Sequence, residues 1–423
     1  MNLTFLTAVG IFAASYIIII SEKIHRTVIS MAGATLMILL GILNQEKAIE
    51  GIDFNTLGLL IGMMVIVGIA KECGMFQYVA IWASKVGKGK PLPIFILLNL
   101  ITAVFSAFLD NVTTVLLLVP VAFVVANNLK IKPKIFLISV ILLSNIGGTA
   151  TLIGDPPNIL IGSAAGIPFN DFLIHLGPAV LIISAITLGL LLLVYKKDLH
   201  TTKECEETIM QFNPADSITD KPLLIKSLIV LAIILVGFFT HSVTHFEGAT
   251  IALAGAALLL LLTMNDPESH LRDVEWTTIF FFIGLFVLVT GLEEVGAIRM
   301  LAEQLLKLTG GNPTATTISV LWGSAFFSAI IDNIPFVATM IPLLKEVGTI
   351  SGLALGPLWW ALALGADIGG NATLIGASAN VVVSGMAAKE GHKIGFLEYM
   401  KVATPLTIVG LIIATGYMWT RYL

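Results

Sequence analysis

Long apolar runs recur along the chain, near residues 3–20, 27–43, 54–70, 92–128, 135–165 and 172–195. About 20 apolar residues in a helix cross a ~30 Å hydrocarbon core, so the pattern predicts a series of membrane helices. A polar stretch from Lys196 to Pro222 follows and predicts an extramembrane linker. The apolar pattern resumes near 223–241, 249–264, 276–292, 314–344, 352–388 and 396–420. The first run has no positively charged n-region, and Lys23 and Arg26 come after it, which predicts a retained helix and not a secretory leader.

Two runs break the helical pattern. Residues 92–128 are too long for one span and carry Ser106, Asp110 and Asn111 in their middle (SAFLDNV). They predict either two crossings or a re-entrant hairpin with a polar tip. Residues 135–165 contain SNIGGTATLIGDPPN, whose glycines, threonines and prolines interrupt a helix. Such breaks are tolerated at membrane depth only where protein or a water-filled cavity satisfies the freed backbone groups.

Both irregular segments recur. A shift of 222 residues aligns the halves without a gap from about Asp53 to Ala165, placing Gly62 on Gly284, Gly74 on Gly296, Pro91 on Pro313 and Pro120 on Pro342. SAFLDN (106–111) meets SAIIDN (328–333) with four identities in six, and 144–158 meets ADIGGNATLIGASAN (366–380) with nine in fifteen. The chain therefore divides into a first repeat over 1–195, a cytoplasmic linker over 196–222, and a second repeat over 223–423. Each repeat holds a hairpin (about 92–128; about 314–344) and a broken helix (about 135–165; about 352–388). Counting each hairpin as returning to its own side leaves an odd number of crossings per repeat, so the repeats are inverted. With that parity 18 Lys and Arg fall on the linker side, against Lys47, Arg299, Lys307, Lys345 and Arg421 on the other. The positive-inside rule makes the first side cytoplasmic and puts both termini outside. The predicted architecture is all-α: ten transmembrane helices plus two opposed re-entrant hairpins.

Composition agrees with this reading. The chain has 423 residues, 57% hydrophobic and 12% charged, with a mean hydropathy of +0.97. That is too little charge to cover a soluble domain. A net charge of −4 without a basic stripe argues against nucleic acid as a partner. Cys73 and Cys205 form neither a disulfide framework nor a zinc-ligand spacing. No metal site and no cofactor is implied.

Scarce charge makes the remaining acids informative. Asp110, Asp155, Asp332 and Asp367 lie inside apolar stretches. Each would cost about 2.5–3.5 kcal/mol at a helix centre facing lipid, so they should face a cavity, an ion or one another. Asp155, just before Pro156, also fits a plain capping role. The neutral polar residues Asn111, Thr113, Asn145, Thr149, Asn333, Asn371 and Thr373 fit an ion or small-solute site. Gly147, Gly148, Gly369 and Gly370 permit unwound backbone whose carbonyls can turn toward a ligand. Duplicated broken helices of this kind form midplane sites in secondary transporters. No Lys or Arg occurs within these segments, which favours a neutral or cationic substrate. Carboxylates withdrawn from water are natural proton carriers. Asp367, whose repeat mate is Asn145, is the first candidate, followed by Asp110, Asp332 and Asp155.

SAFLDNVTTVLLLVP followed by SNIGGTATLIGDPPNILIG resembles the ion-transporter superfamily. The similar branch holds arsenite/antimonite efflux permeases (the ArsB group), NhaD-type sodium/proton antiporters and the pink-eyed-dilution P protein. The resemblance covers nearly the whole chain. It implies a scaffold of dimerising helices, hence a homodimer, and a transport domain with two hairpins that moves as an elevator. By the motif match it implies Asp110, Asn111, Thr113, Asn145, Thr149, Asp332, Asn333, Asp367, Asn371 and Thr373 as the site. The divalent-anion/sodium symporters carry Ser-Asn-Thr where this chain has Asp110-Asn111-Val112 and Asp332-Asn333-Ile334, a departure that argues against a dicarboxylate substrate.

The leading expectation is proton-driven efflux of arsenite or antimonite through the lipid bilayer, with a soluble ATPase as a conceivable partner. Sodium/proton antiport is the alternative. A passive channel and an intramembrane aspartyl protease are weaker readings. The protease signature GxGD is absent, its nearest approach being Leu152-Ile153-Gly154-Asp155, and no enzymatic activity is expected.

Overall fold

The computed structural model describes residues 3–21, 23–264 and 266–423. The first half contains α1 (Leu3–Ser21), α2 (Arg26–Leu39), α3 (Gln45–Glu50), α4 (Phe54–Glu72), α5 (Met75–Val86), α6 (Pro91–Phe108), α7 (Asn111–Asn128), α8 (Pro133–Gly148), α9 (Pro156–Ala165) and α10 (Phe169–Tyr195). In the polar stretch, α11 (Lys203–Gln211) is followed by a 3-10 turn at Pro214–Ser217. The second half contains α12 (Lys221–Thr244), α13 (Gly248–Thr263), α14 (Pro267–Arg272), α15 (Trp276–Glu294), α16 (Ala297–Thr309), α17 (Pro313–Ser328), α18 (Asn333–Ser351), α19 (Leu355–Gly369), α20 (Ser378–Lys389) and α21 (Phe396–Tyr422). Among the described residues, nine helices are long and apolar enough to cross a membrane, and α2, α8 and α13 are shorter apolar helices. The fold is all-helical and that of a multi-pass membrane protein.

The apolar runs become helices near the predicted bounds, the run 92–128 dividing at its polar tip as either of its two readings requires, and two features differ. The run 92–128 is two helices of 18 residues each, separated by Leu109 and Asp110. Two amphipathic helices absent from the hydropathy reading, α5 and α16, connect α4 to α6 and α15 to α17. On α5 the buried positions Phe76, Ala80, Ala83 and Ser84 form one face, and at 12 residues the helix is too short to register as a span. The linker is also partly helical, with α11 packed on α5 and α7.

The halves interlock. The helix α13 packs along α4, and its mate in the 222-residue register, α2, packs along α15. Glycine makes both crossings possible: a Cβ on Gly62 would lie 2.6 Å from the carbonyl carbon of Ala252, and one on Gly284 would lie 2.5 Å from that of Ser30. Ser30 and Ala252 are themselves 222 apart, so the same crossing occurs twice. Small residues are what allow membrane helices to approach this closely. Around the broken segments, α6 packs on α8 and α17 on α19, while α20 reaches across to α7 and α9 to α18. This exchange carries the four polar breaks into one place.

Candidate functional site

Two pairs of helix ends meet in the interior. The first pair is the α6–α7 tip (109–110) and the break between α8 and α9; the second is the α17–α18 tip (329–332) and the break between α19 and α20. Each break is held by the same local bonds. Ser106 Oγ donates to the carbonyl of Ser144 at 2.5 Å, and Ser328 Oγ to that of Ala366 at 2.6 Å. The Thr151 hydroxyl donates to the Ala107 carbonyl, and Thr373 Oγ1 to that of Ala329 at 2.6 Å. The helix-breaking sequence is thus tolerated because side-chain hydroxyls and amides take up the freed carbonyls.

At the centre Asp155, 1% exposed, joins the two tips. Its Oδ2 accepts from Asn111 Nδ2 at 2.7 Å, and its Oδ1 from Asn333 Nδ2 at 3.3 Å. Asn111 Nδ2 also donates to Asn145 Oδ1 at 3.1 Å. Asn145 Nδ2 in turn donates to Asn371 Oδ1 and Asn380 Oδ1, both at 2.8 Å. Asn371 is further tied by its amide to the Leu142 carbonyl (3.2 Å) and by its own carbonyl to Tyr399 Oη (3.0 Å).

Asp367 occupies the position equivalent to Asn145 and is fully buried, yet neither of its carboxyl oxygens has a hydrogen-bond partner among the described residues. Thr149 and Asn158, the mates of Asn371 and Asn380, are its polar neighbours. Their donors are spent elsewhere: Thr149 Oγ1 on the Asn145 carbonyl at 2.9 Å, and Asn158 Nδ2 on the carbonyls of Thr149 and Thr151 at 3.2 and 3.0 Å. Each half therefore supplies one wholly buried acid, from positions that are not repeat-related.

Three sequence expectations change. Asp155 occupies the N-cap position of α9 but its side chain makes no cap bond. Pro157 removes one of the two usual cap donors and the other, Asn158 N–H, goes to the Asp155 backbone carbonyl at 3.0 Å, and the carboxyl turns to Asn111 and Asn333. The capping role belongs to the other two acids. Asp110 Oδ1 accepts from Thr113 N at 2.7 Å and its Oδ2 from Thr113 Oγ1 at 2.5 Å, while Asp332 Oδ1 accepts from Ile334 N at 3.2 Å. Gly147, Gly148 and Gly369 stay helical and Gly370 opens a 3-10 turn, so the chain breaks only after them, and the carbonyls of Gly148 and Gly370 are taken by Asn158 Nδ2 (3.5 Å) and Asn380 Nδ2 (2.9 Å) and do not point at open space. Gly147 and Gly369 serve close approach instead, against Ala103 and Ala325.

The third change concerns charge. The reading of four acids without a base fails, because Arg26 Nη1 reaches Asp332 Oδ2 at 2.9 Å and Ser378 Oγ at 2.8 Å. Arg26 lies outside the broken segments, and only the packing of α2 beside the second tip brings it in. Sequence reasoning also missed Asn158 and Asn380. Their signal was available, since they form the last identity of the aligned fifteen-residue segment.

This arrangement, with paired polar tips and broken helices crossing at a buried centre, is that of a membrane transport protein. The profile of the citrate transporter family, CitMHS, matches residues 16–365. The chain is 42% identical over 423 residues to a protein of Mycobacterium tuberculosis designated an uncharacterized transporter, with 98% of each covered. It is 41% identical over 427 residues to the 46 kDa membrane protein of Mycobacterium leprae, again covering 98% of each. With the human P protein it shares 34% identity over 495 residues, covering 97% of this chain and 59% of that longer protein. Its fold is similar to that in the crystal structure of the Alcanivorax borkumensis YdaH transporter, described as having an unusual topology. The TM-score is 0.63 at 13% identity, over 99% of this chain and 98% of that one. The chain belongs to the CitMHS family and is a secondary transporter.

Proposed function

We propose that the chain is a proton-coupled secondary active transporter that moves a small inorganic solute, arsenite or antimonite, outward in exchange for protons. Asp367 carries this reading. Among the described residues this fully buried carboxyl has Thr149 and Asn158 beside it, but its oxygens accept no hydrogen bond in this arrangement and no cation faces it, so a proton or a bound cation is its natural partner. Alternating between those partners couples a gradient to transport. Asp155, tied to both tips, is the second coupling acid, and Asn111, Asn145, Asn333 and Asn371 with Thr149 and Thr373 supply the solute's hydrogen bonds. Arg26 does not alter the solute class, because Asp332 balances its charge. Citrate, which the family's description names, brings three carboxylates against the single cation bonded to a site residue among the described residues.

On this reading the two tips belong to opposed hairpins of inverted repeats, the linker faces the cytoplasm, and a dimer carries the transport domains as elevators. The test is a substrate panel in proteoliposomes with and without an imposed proton gradient. Arsenite flux that stops when the gradient is dissipated is the expected result. A variant with Cys73 and Cys205 replaced by serine should transport arsenite as the parent does, because neither thiol touches the centre; loss of flux there would point to a thiolate site instead.

Sodium/proton antiport is the second reading, favoured by the hard oxygen donors around Asp367. Collapse of the proton gradient by sodium but not by arsenite selects it.

A further inference from the structure

The two helix tips are not held alike. At the first, Asp110 bonds within its own turn, to Thr113, and among the described residues no cation or group from another helix joins it. The adjoining cavity, about 210 Å³, is apolar, with Phe105, Phe108 and Ile153 among its walls. At the second, one carboxylate gathers three groups from three helices. Asp332 Oδ1 caps α18 through Ile334 N, while its Oδ2 takes Ser378 Oγ at 2.6 Å and Arg26 Nη1 at 2.9 Å. Arg26 comes from α2, whose main partner is α15, and Ser378 opens α20. The guanidinium lies over the Phe281 ring, 4.9 Å from its centroid, which fixes its plane. The repeat mates of Arg26 and Ser378 are Gly248 and Pro156, so nothing equivalent can form at the first tip.

Position and exposure give this ion pair a task. The next residue, Asn333, is the one that reaches Asp155. On its other side the pair borders a cavity of about 300 Å³ lined by His25, Arg26, Ile331, Asp332 and Ser378 among others. The Arg26 and Asp332 side chains are 27% and 16% exposed, so the bond stands between that cavity and the closed centre, within reach of water. We propose that Arg26 is a positioning residue for transport: through Asp332 and Ser378 it latches the second tip to α2 and holds Asn333 on Asp155, and the cavity connects to the centre when the latch opens. The first tip, without a latch, is not the gated one. The proposal rests on the preceding section only for the location of the centre.

The test needs no substrate and therefore stands apart from the choice between arsenite and sodium. In the full-length chain with Cys73 and Cys205 replaced by serine, Ile334→Cys, at a buried position beside Asn333 that does not line the cavity, is labelled in membranes by an impermeant maleimide. Arg26→Gln should raise the labelling rate about tenfold, as expected when one partner of a partly buried ion pair is removed. Arg26→Lys, which keeps the charge, should restore most of the protection, and Ser378→Ala should fall between. Asp332→Asn should match Arg26→Gln, and the double variant should label no faster than either single one, because the pair acts as a unit. Multiplying effects in the double variant, or equal labelling with Lys and Gln at position 26, would overturn the latch. Size-exclusion profiles and unfolding temperatures of all variants distinguish release of the tip from general unfolding: a labelling gain that tracks a lower Tm also counts against it.

Discussion

If Asp367 is the coupling acid proposed above, Asp367→Asn should reduce proton-driven flux to the background of empty proteoliposomes, while the protein inserts normally and unfolds at a temperature no lower than the parent's. Both halves of this result follow from the site. The carboxyl of Asp367 is buried with two oxygens that make no hydrogen bond among the described residues, an arrangement that costs stability. An asparagine at this position reproduces what the first half already contains. Asn145 sits at the equivalent point and bonds Asn371 and Asn380, whose mates Thr149 and Asn158 face residue 367. The substitution makes the centre more symmetric and better bonded, and removes its titratable group. Flux under an imposed pH difference and thermal unfolding in detergent are the two measurements. Persistent proton-coupled flux would shift the coupling role to Asp155. Asp110→Asn is the comparison: its carboxyl serves a cap worth about 1 kcal/mol, so activity should fall less and stability should fall more.

The contrast between these acids shows how far the sequence could be read. Hydropathy located the membrane helices because burial in lipid demands long apolar runs, and the duplication located the breaks because their polar, glycine-rich residues align. The amphipathic α5 and α16 were invisible to the same measure, since at 12 and 13 residues each is too short to register as a span. Within the breaks, residue types were legible but partners were not. Recurrence at equivalent tips drew attention to Asp110 and Asp332, and those two are the ones that cap helices. Asp155 and Asp367 lack repeat-related carboxylates, and the structure places them at the buried centre. Local rules failed at Asp155 because Pro157 removes one cap donor and the amides of Asn111 and Asn333, from two other helices, take the carboxyl. They failed at Arg26 for a tertiary reason: no spacing within a broken segment can announce a guanidinium that arrives from a helix 306 residues away.

Gly369→Val should keep α19 from closing on α17, leaving little monodisperse protein after extraction. A Cβ on Gly369 would lie 2.4 Å from Ala325 Cα and 2.5 Å from the Ala325 carbonyl oxygen, so the obstruction is backbone and not a side chain that can turn away. Relief requires α17 and α19 to separate by roughly 1 Å or more, since close-packed interiors leave no slack. Overpacking a core in this way costs about 1–3 kcal/mol and at times more. The loss here should exceed the usual range, because the same separation pulls Ser328 Oγ from the Ala366 carbonyl and disturbs Asp367 two residues away. The first half offers an internal replicate: Gly147 stands 2.3 Å by the same construction from the Ala103 carbonyl oxygen, and Gly147→Val should fail equally. Gly323→Ala, on α17 itself, meets nothing within 4 Å and should leave yield, Tm and flux unchanged. Size-exclusion chromatography and thermal unfolding of the three variants decide the matter. A Gly369→Val protein as stable as the parent would mean that the α17–α19 crossing is looser than its geometry indicates, and the closed centre around Asp367 would lose the rigid frame that keeps its carboxyl from water.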